Sequence, residues 1–179
     1  MHKNEDLEEI IEQFKKEDYS RFDQFYKLTN RQIYFTIIAV LKDQSLAEDV
    51  MQDTYLKILK YILSYQAGTN PLAWMMMIAR NTAINVYNRR KRETLIDPTE
   101  KIIVEKPEEE KDTETPLIDL MNKVLKPKEK ELIVLHVING LTHKEIAKLL
   151  KRPLGTVLWQ YNRAINKLRE KVGEENEKQ

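Results

Sequence analysis

The segment "GLTHKEIAKLLKRPLGTVLWQYNRA", residues 140–164, predicts the architecture of the C-terminal part of this chain. Thr142 and Glu145 match a capping box, which predicts that a helix begins there and runs over about 143–150. After "KRP" a second helix is predicted, because apolar residues recur at spacings of 4, 3 and 4. They are Val157, Tyr161, Ala164 and Leu168. Two helices around a short turn predict a helix-turn-helix.

The residues that precede this segment complete a small helical unit. Pro127 predicts the start of a helix through "KEKELIVLHVI". Asn139-Gly140 predicts its end, since glycine accepts the left-handed conformation that closes many helices. On the last helix the side opposite the apolar stripe carries a mixed set of side chains. They are Leu158, Trp159, Asn162, Arg163 and Asn166.

The first ninety residues also predict helices. An amphipathic helix is expected over 6–17, with Leu7, Ile10, Ile11 and Phe14 on its apolar side. A second, buried helix is expected over about 20–42. "SLAE" from Ser45 predicts a capping box and a third helix, and Asn70-Pro71 predicts a fourth, through "LAWMMMIARNTAINVYNRRKR". The spacing of apolar residues therefore indicates an all-α bundle.

Charge divides the chain into three parts. Residues 80–92 carry five basic residues and no acid, residues 97–116 carry eight acids and three lysines, and residues 142–171 carry eight basic residues and two glutamates. Two basic segments separated by an acidic one favour two contacts with a polyanion. We predict two helical domains, 1–93 and 117–172, joined by a flexible acidic linker over 94–116, with a disordered tail over 173–179.

Enzyme and metal signatures are missing from the sequence. It contains no cysteine, phosphate-binding glycine loop, G-x-S-x-G or H-E-x-x-H pattern. The three histidines lie on different predicted elements; we expect His136 to pack in a helix and His143 to lie exposed or near phosphate. We expect no catalytic residue, metal or cofactor, and, without a signal peptide or a membrane-length apolar run, a cytoplasmic protein.

Two candidate nucleic-acid surfaces follow from these patterns. In the helix-turn-helix, Arg163 can contact a phosphate or a guanine edge, and the backbone amides near Gly155 and Thr156 can bind a phosphate. Lys144, Lys148, Lys151 and Arg152 border this surface. In the segment 80–92, amides and the Tyr87 ring alternate with arginines, which suits unpaired bases. A solvated basic helix face is the alternative interpretation for both.

Three stretches together make the chain resemble the extracytoplasmic-function (ECF) sigma factors, the small sigma-70-type promoter-recognition subunits of bacterial RNA polymerase. "AEDVMQDTYLKILKY" is similar to the helix that binds core polymerase in that family. "PLAWMMMIARNTAINVYNRRKR" is similar to its −10 region, and "LKPKEKELIVLHVINGLTHKEIAKLLKRPLGTVLWQYNRAINKLRE" to its −35 domain. The resemblance implies a sigma region 2-like bundle, a region 4-like helix-turn-helix, and a DNA-binding protein acting in transcription initiation and regulation, nucleoid-associated when in holoenzyme.

The resemblance and the two candidate nucleic-acid surfaces together give expected roles for individual residues. Contact with the clamp helices of the largest polymerase subunit is expected from Asp49, Gln52, Asp53 and Leu56. Contact with the −10 element is expected from Asn81, Asn85, Asn88, Arg89, Arg90, Lys91 and Arg92. Contact with the −35 element is expected from Lys144, Lys151, Arg152, Thr156, Leu158, Trp159, Asn162 and Arg163. Trp74 is expected to pack within its domain, and promoter DNA and an anti-sigma factor are further partners that the family implies.

The chain departs from the family pattern at several of these positions. The family commonly has a basic and a small polar residue where Leu158 and Trp159 stand, glycine at Lys151, an apolar residue at Arg152 and Asp at Asn85. The apolar pair predicts contact with thymine methyl groups and a preference for A·T-rich sequence. Two alternatives stay open: a stand-alone helix-turn-helix regulator of duplex DNA, and a sigma-like adaptor that binds proteins.

Overall fold

A computed structural model of the chain describes residues 2–96 and 116–176, with side chains for 4–93 and 120–173. The backbone of these residues is helical between short turns and contains no strand, which confirms the all-α prediction. In chain order the helices are α1 (His2–Phe14), α2 (Phe22–Leu41), α3 (Gln44–Lys60), α4 (Pro71–Ile96), α5 (Pro116–Val124), α6 (Pro127–Ile133), α7 (His143–Leu150) and α8 (Leu154–Asn176). A 3-10 turn, Ile62–Ser64, follows α3, and a π-helical turn, Val134–Ile138, continues α6.

Helix α2 is the centre of the N-terminal half and packs against α1, α3 and α4. The four apolar residues predicted to face inward from α1 are all buried. An aromatic cluster ties the helices together: the rings of Phe14 and Phe25 are 5.2 Å apart and edge-on, and Phe25 lies 6.1 Å from Tyr55. The Tyr55 hydroxyl pairs with Thr29 at 2.9 Å, so this buried phenol has a polar partner.

The start of α3 corrects a prediction made from the sequence. The cap is Asp43, not Ser45: the Asp43 carboxylate accepts the backbone N–H of Leu46 at 2.9 Å. Ser45 lies exposed inside the first turn. A carboxylate satisfies a free amide and also interacts favourably with the positive end of the helix dipole, which explains why Asp43 takes this position. The predicted start of α4 is confirmed, with Asn70 Oδ1 accepting the N–H of Ala73 at 3.2 Å.

The boundaries of the linker and the tail differ from those predicted. Helix α4 continues to Ile96, three residues past the predicted boundary, and α5 begins at Pro116 as an additional helix. Most of the predicted acidic linker, 97–115, lies outside the described residues. Helix α8 continues to Asn176, so the predicted tail begins inside a helix.

The helix-turn-helix forms as the sequence predicts. The Thr142 hydroxyl accepts the N–H of Glu145, and the Glu145 carboxylate accepts the N–H of Thr142, which confirms the capping box. Gly140 closes the preceding π-helical turn with φ of +69°. Lys151 closes α7 in the left-handed region, with φ of 52°. A residue with a Cβ pays roughly 1 kcal/mol or more there, whereas glycine does not.

The two halves of the chain share one core, which the predicted domain boundaries did not anticipate. Phe35 and Ala39 of α2 are buried in the same cluster as Ile133 and Val134 of the C-terminal half. Polar contacts also connect the two halves. They are Asn139 Nδ2 to Thr36 Oγ1 at 2.8 Å, Arg80 Nε to Glu131 Oε1 at 2.6 Å and Asn70 Nδ2 to Glu145 Oε1 at 2.7 Å. The helices on either side of the linker therefore pack as one body.

Candidate nucleic-acid interface

Helix α8 has one buried and one exposed side, as its apolar spacing predicts. Val157 and Ala164 are fully buried, whereas Leu158 and Trp159 have 39% and 60% of their surface exposed. Tyr161 and Leu168 complete the inner stripe and are half-buried. The predicted outward orientation of the apolar pair is confirmed, and its contact with DNA stays a prediction.

Arg163 lies on the exposed side of α8 between an aromatic ring and a carboxylate. Its guanidinium carbon is 5.4 Å from the centre of the Trp159 ring, a cation–π arrangement. Its Nε is 3.6 Å from Glu129 Oε1 of α6. The side chain is half exposed, so Arg163 keeps access to solvent while two neighbours restrict its orientation.

Glu129 also binds the next cation along α8. Lys167 Nζ donates to both carboxylate oxygens, at 2.9 and 2.8 Å, and the backbone N–H of Lys126 donates to Oε2 at 2.9 Å. Burial opposes ionisation of Glu129, but the hydrogen bonds from Lys167 and Lys126 outweigh it and hold the pKa of the carboxyl below its usual value. Glu129 is therefore a buried anion that lies against α8.

A shallow groove runs along this side of α8. It is lined by Trp159, Asn162, Arg163, Asn166, Lys167 and Glu170. Sequence reasoning found the first four of these from helical phase, but not the role of Lys167, and it missed Glu129. No local pattern connects Glu129 with Lys167, which lie 38 positions apart.

The remaining residues of the predicted −35 set divide into two groups. Lys144, Lys151, Thr156 and Asn162 are exposed, and Asn162 lines the groove. Arg152 is half-buried, with Nη2 at 3.6 Å from Glu131 Oε2 and Nη1 at 3.3 Å from Gln160 Oε1. The Arg152 guanidinium therefore has partners within the protein, Glu131 and Gln160.

The histidines form a stack that the sequence did not predict. His143 is half-buried rather than exposed, and its ring lies 4.1 Å from the His136 ring and 4.6 Å from that of Tyr161. Burial, and then the neighbouring His136, lower the pKa of His143. His136 packs as expected, with Nδ1 2.7 Å from the carbonyl oxygen of Leu141.

The predicted −10 residues lie along α4, from Asn81 near its midpoint to Arg92 near its C-terminal end. All of them are exposed: Asn81, Asn85, Asn88, Arg89, Arg90, Lys91 and Arg92. Arg90 Nη1 is 3.0 Å from Asp43 Oδ2, so the α3 cap also holds one of these cations. Trp74 is half-buried and meets the Tyr65 ring edge-on at 5.4 Å, which supports a packing role. Tyr87 is half exposed beside the amides.

Helix α3 has one exposed face and one buried face. Asp49, Gln52, Asp53 and Leu56 all lie on this exposed face, whereas Val50, Thr54 and Ile58 are buried on the other. Leu56 has 66% of its surface exposed, and Leu63, in the 3-10 turn that follows α3, has 76%. Exposed leucines beside acids suit a docking surface for a protein. Sequence reasoning did not select Leu63. Among the described residues, no helix has the length and apolar character needed to cross a bilayer.

Comparison with known families matches both halves of the chain. A family model of sigma-70 region 2 matches residues 25–93, and one of sigma-70 region 4 matches residues 123–170. The first match contains α3 and most of α4, and the second contains the helix-turn-helix with most of α8. Along the chain, region 2 comes before region 4, just as the candidate −10 surface on α4 comes before the candidate −35 surface on α8.

Curated relatives align over nearly the whole chain. The ECF RNA polymerase sigma factor SigK of Mycolicibacterium vanbaalenii is 26% identical and covers 94% of this chain and 90% of its own length. RNA polymerase sigma factor CarQ of Myxococcus xanthus is 24% identical over 92% and 96%. ECF RNA polymerase sigma factor SigM of Bacillus subtilis is 24% identical over 80% and 97%.

Solved structures share the fold. The sigma factor RpoE of Bartonella quintana, in complex with the anti-sigma factor NepR, superposes with a TM-score of 0.69 at 24% identity, covering 85% of this chain and 96% of its own. CnrH, in complex with the cytosolic domain of CnrY, gives 0.66 at 19% identity, covering 93% and 97%. With both regions matched in order and relatives aligned over most of its length, the chain belongs to the ECF sigma factors of the sigma-70 family.

Proposed function

We propose that this chain is a non-enzymatic specificity subunit that binds core RNA polymerase and directs it to promoters from the cytoplasm. The observation that carries the proposal is that both matched regions expose their candidate side chains on helices whose opposite faces are buried. In the N-terminal half these helices are α3 and α4, and in the C-terminal half the helix is α8.

The exposed face of α3 is the proposed contact with core polymerase. Asp49 and Asp53 supply negative charge, and Leu56 supplies apolar area, with 66% of its surface exposed. Burying an exposed leucine at an interface contributes about 1.5 kcal/mol or more, and the acids orient the partner rather than add much affinity. The clamp helices of the largest polymerase subunit are the proposed partner.

The end of α4 is the proposed contact with the −10 element. Asn81, Asn85 and Asn88 expose amide groups that can hydrogen-bond to the edges of unpaired bases, and Tyr87 offers a ring for stacking. The arginines and lysine over 89–92 supply charge for the phosphates. This combination suits DNA that is opened at the site of contact, as promoter melting requires.

Helix α8 is the proposed contact with the −35 element in the major groove. Leu158 and Trp159 can contact thymine methyl groups, and the indole N–H can donate one hydrogen bond. Arg163 can bind a guanine edge or a phosphate. Lys144 of α7 and Lys151 of the turn are exposed and can neutralise phosphates.

An anti-sigma factor is a further proposed partner. The RpoE and CnrH structures with a similar fold are complexes with NepR and the cytosolic domain of CnrY. Large side chains remain exposed on both halves of this chain, among them Leu63 and Trp159. A protein that covers Leu63, next to the exposed face of α3, or Trp159 on α8 would block the proposed contact with polymerase or with DNA.

The test is transcription with purified components. Protein added to core polymerase is expected to give transcripts from promoters found by sequencing the DNA that the holoenzyme selects. Leu56→Asp is expected to abolish association with core polymerase in gel filtration, while the matched change Leu154→Asp, on the other half, leaves it intact. Wild-type protein that fails to associate with core polymerase, or that selects the same DNA without it, contradicts the proposal.

A further inference from the structure

Helix α8 carries two cations, Arg163 and Lys167, whose charges are not equally available to DNA. Arg163 and Lys167 both lie along the groove of α8, and Glu129 of α6 contacts both. Within the described residues, Glu129 forms ion pairs with both of these cations. This arrangement places an anion directly beneath the proposed DNA surface.

Lys167 is the more strongly neutralised of the two. Its ammonium donates to both oxygens of Glu129 at 2.9 and 2.8 Å, and its side chain is 26% exposed. Hydrogen bonds between opposite charges at these distances are among the strong ones in proteins. A lysine held in this way releases no counterion on meeting a phosphate, so it adds nothing to salt-dependent DNA binding.

Arg163 is held more loosely and remains available. Its Nε is 3.6 Å from Glu129 and its guanidinium lies over the Trp159 ring, while half of its surface is open to solvent. These two neighbours restrict its rotamers, while half of the side chain stays exposed. An arginine oriented before binding loses less entropy when it pairs with a guanine edge.

We propose that Glu129 is a specificity-determining residue: it removes the charge of Lys167 from the DNA surface and orients Arg163 toward a base. The proposal rests on the proposed −35 contact of α8. Glu129 itself touches no DNA and acts through the two cations. Its effect is to lower affinity for arbitrary DNA while it preserves affinity for the correct site.

Replacing Glu129 by glutamine is therefore expected to raise the affinity for arbitrary DNA and to lower the discrimination in favour of the selected site. Lys167 becomes free for a phosphate, so the slope of log affinity against log salt steepens by about 0.9. The affinity of the variant for DNA with a scrambled −35 element is higher than that of the wild type. When salt is raised from 50 to 200 mM, the affinity of the variant decreases by a factor about 3.5 times larger than the affinity of the wild type does. Discrimination between the selected −35 element and a change at the base contacted by Arg163 falls at least about fivefold.

The experiment uses the full chain in holoenzyme with core polymerase. Duplexes carrying the selected and the scrambled −35 element are titrated at several salt concentrations for the wild type and for Glu129→Gln. Glutamine can still accept the N–H of Lys126 at the start of α6, so the helix start is retained. Glu170→Gln is the matched control, since it removes one negative charge from the same groove and leaves Arg163 and Lys167 paired with Glu129.

Two further variants separate this role from a structural one. Lys167→Gln alone is expected to leave the salt slope at the wild-type value, and Glu129→Gln with Lys167→Gln is expected to return it there. A decrease of about 0.9 for Lys167→Gln shows that this lysine already contacts phosphate and overturns the inference. Equal loss of affinity for both duplexes in Glu129→Gln assigns Glu129 to folding alone and also overturns it.

Failure of the underlying function gives a different result. If the wild-type holoenzyme selects no −35 sequence, or if Arg163→Ala leaves selection unchanged, the proposed contact of α8 is wrong. If selection depends on Arg163 but Glu129→Gln changes neither the slope nor the discrimination, only the present inference is wrong. The two outcomes are distinguished within one set of titrations.

Discussion

The ion pair between Arg80 and Glu131 allows a direct test of the packing between the two halves. Arg80 lies on α4 and Glu131 on α6, and their side chains are only 19% and 12% exposed. Arg80 Nε donates to Glu131 Oε1 at 2.6 Å. Glu131→Gln leaves Arg80 largely buried without its counterion, and a hydrogen bond to a charged group contributes about 1.5–3 kcal/mol.

The expected loss is about 2 kcal/mol, since both side chains keep some contact with solvent and the full cost of a deeply buried pair does not apply. For a chain of this size the midpoint of thermal unfolding is expected to fall by roughly 4–8 °C. Glu48→Gln, an exposed acid on α3, is the matched control and is expected to change stability by less than about 0.5 kcal/mol.

A double-mutant cycle isolates the contact between the halves. Arg80→Gln with Glu131→Gln is expected to give a coupling energy of about 1–2 kcal/mol in urea unfolding. Arg152→Gln with Glu131→Gln, within the C-terminal half, is expected to give less, because that pair is 3.6 Å apart. A coupling between Arg80 and Glu131 below about 0.5 kcal/mol would contradict the packing of the two halves in solution, since residues couple strongly only when they are in contact.

Other expected outcomes concern single residues. Lys151→Gly relieves the left-handed strain at the end of α7 and is expected to add about 0.5–1 kcal/mol of stability in urea unfolding, while the salt slope of DNA binding decreases by about 0.9. Asp43→Ala removes the α3 cap and is expected to cost about 1 kcal/mol in the same measurement. Trp159→Ala is expected to change the selected −35 sequence more than the salt slope, and a pure loss of thermal stability contradicts that role. Because burial and His136 lower the pKa of His143 in the folded state, the unfolded state binds more protons in acid. Stability is therefore expected to fall as the pH drops below about 6.5, and His143→Phe is expected to weaken this dependence in thermal unfolding between pH 7.5 and 5.5.

Features encoded in short stretches of sequence were predicted well. The phase of α8 follows from four apolar residues at helical spacing, and the Thr142 capping box from two residues three positions apart. The outward orientation of Trp159 follows from the same phase. These features depend on residues within one or two helical turns, where periodicity and capping chemistry are decisive.

The features that were missed depend on distant or competing residues. Ser45 and Asp43 are both good caps, and only the backbone conformation at Asp43 decides between them. Glu129 pairs with Lys167 across 38 positions and Arg80 with Glu131 across 51. Such pairs follow from how helices pack, so the spacing of charges along the chain does not indicate them. The same reason explains why two predicted domains share one core.

The core shared by the two halves limits the length of promoter DNA that the protein can contact at once. The −35 and −10 elements lie about 25 base pairs apart, about 85 Å along duplex DNA. The longest helix, the 26-residue α4, extends about 39 Å, and a compact chain of 179 residues has a radius of gyration of about 16 Å. While Phe35 and Ala39 remain buried against Ile133 and Val134, the chain can occupy one promoter element at a time. Occupying both requires the halves to part and expose this apolar surface, so the free energy of binding polymerase and DNA has to exceed the cost of separation.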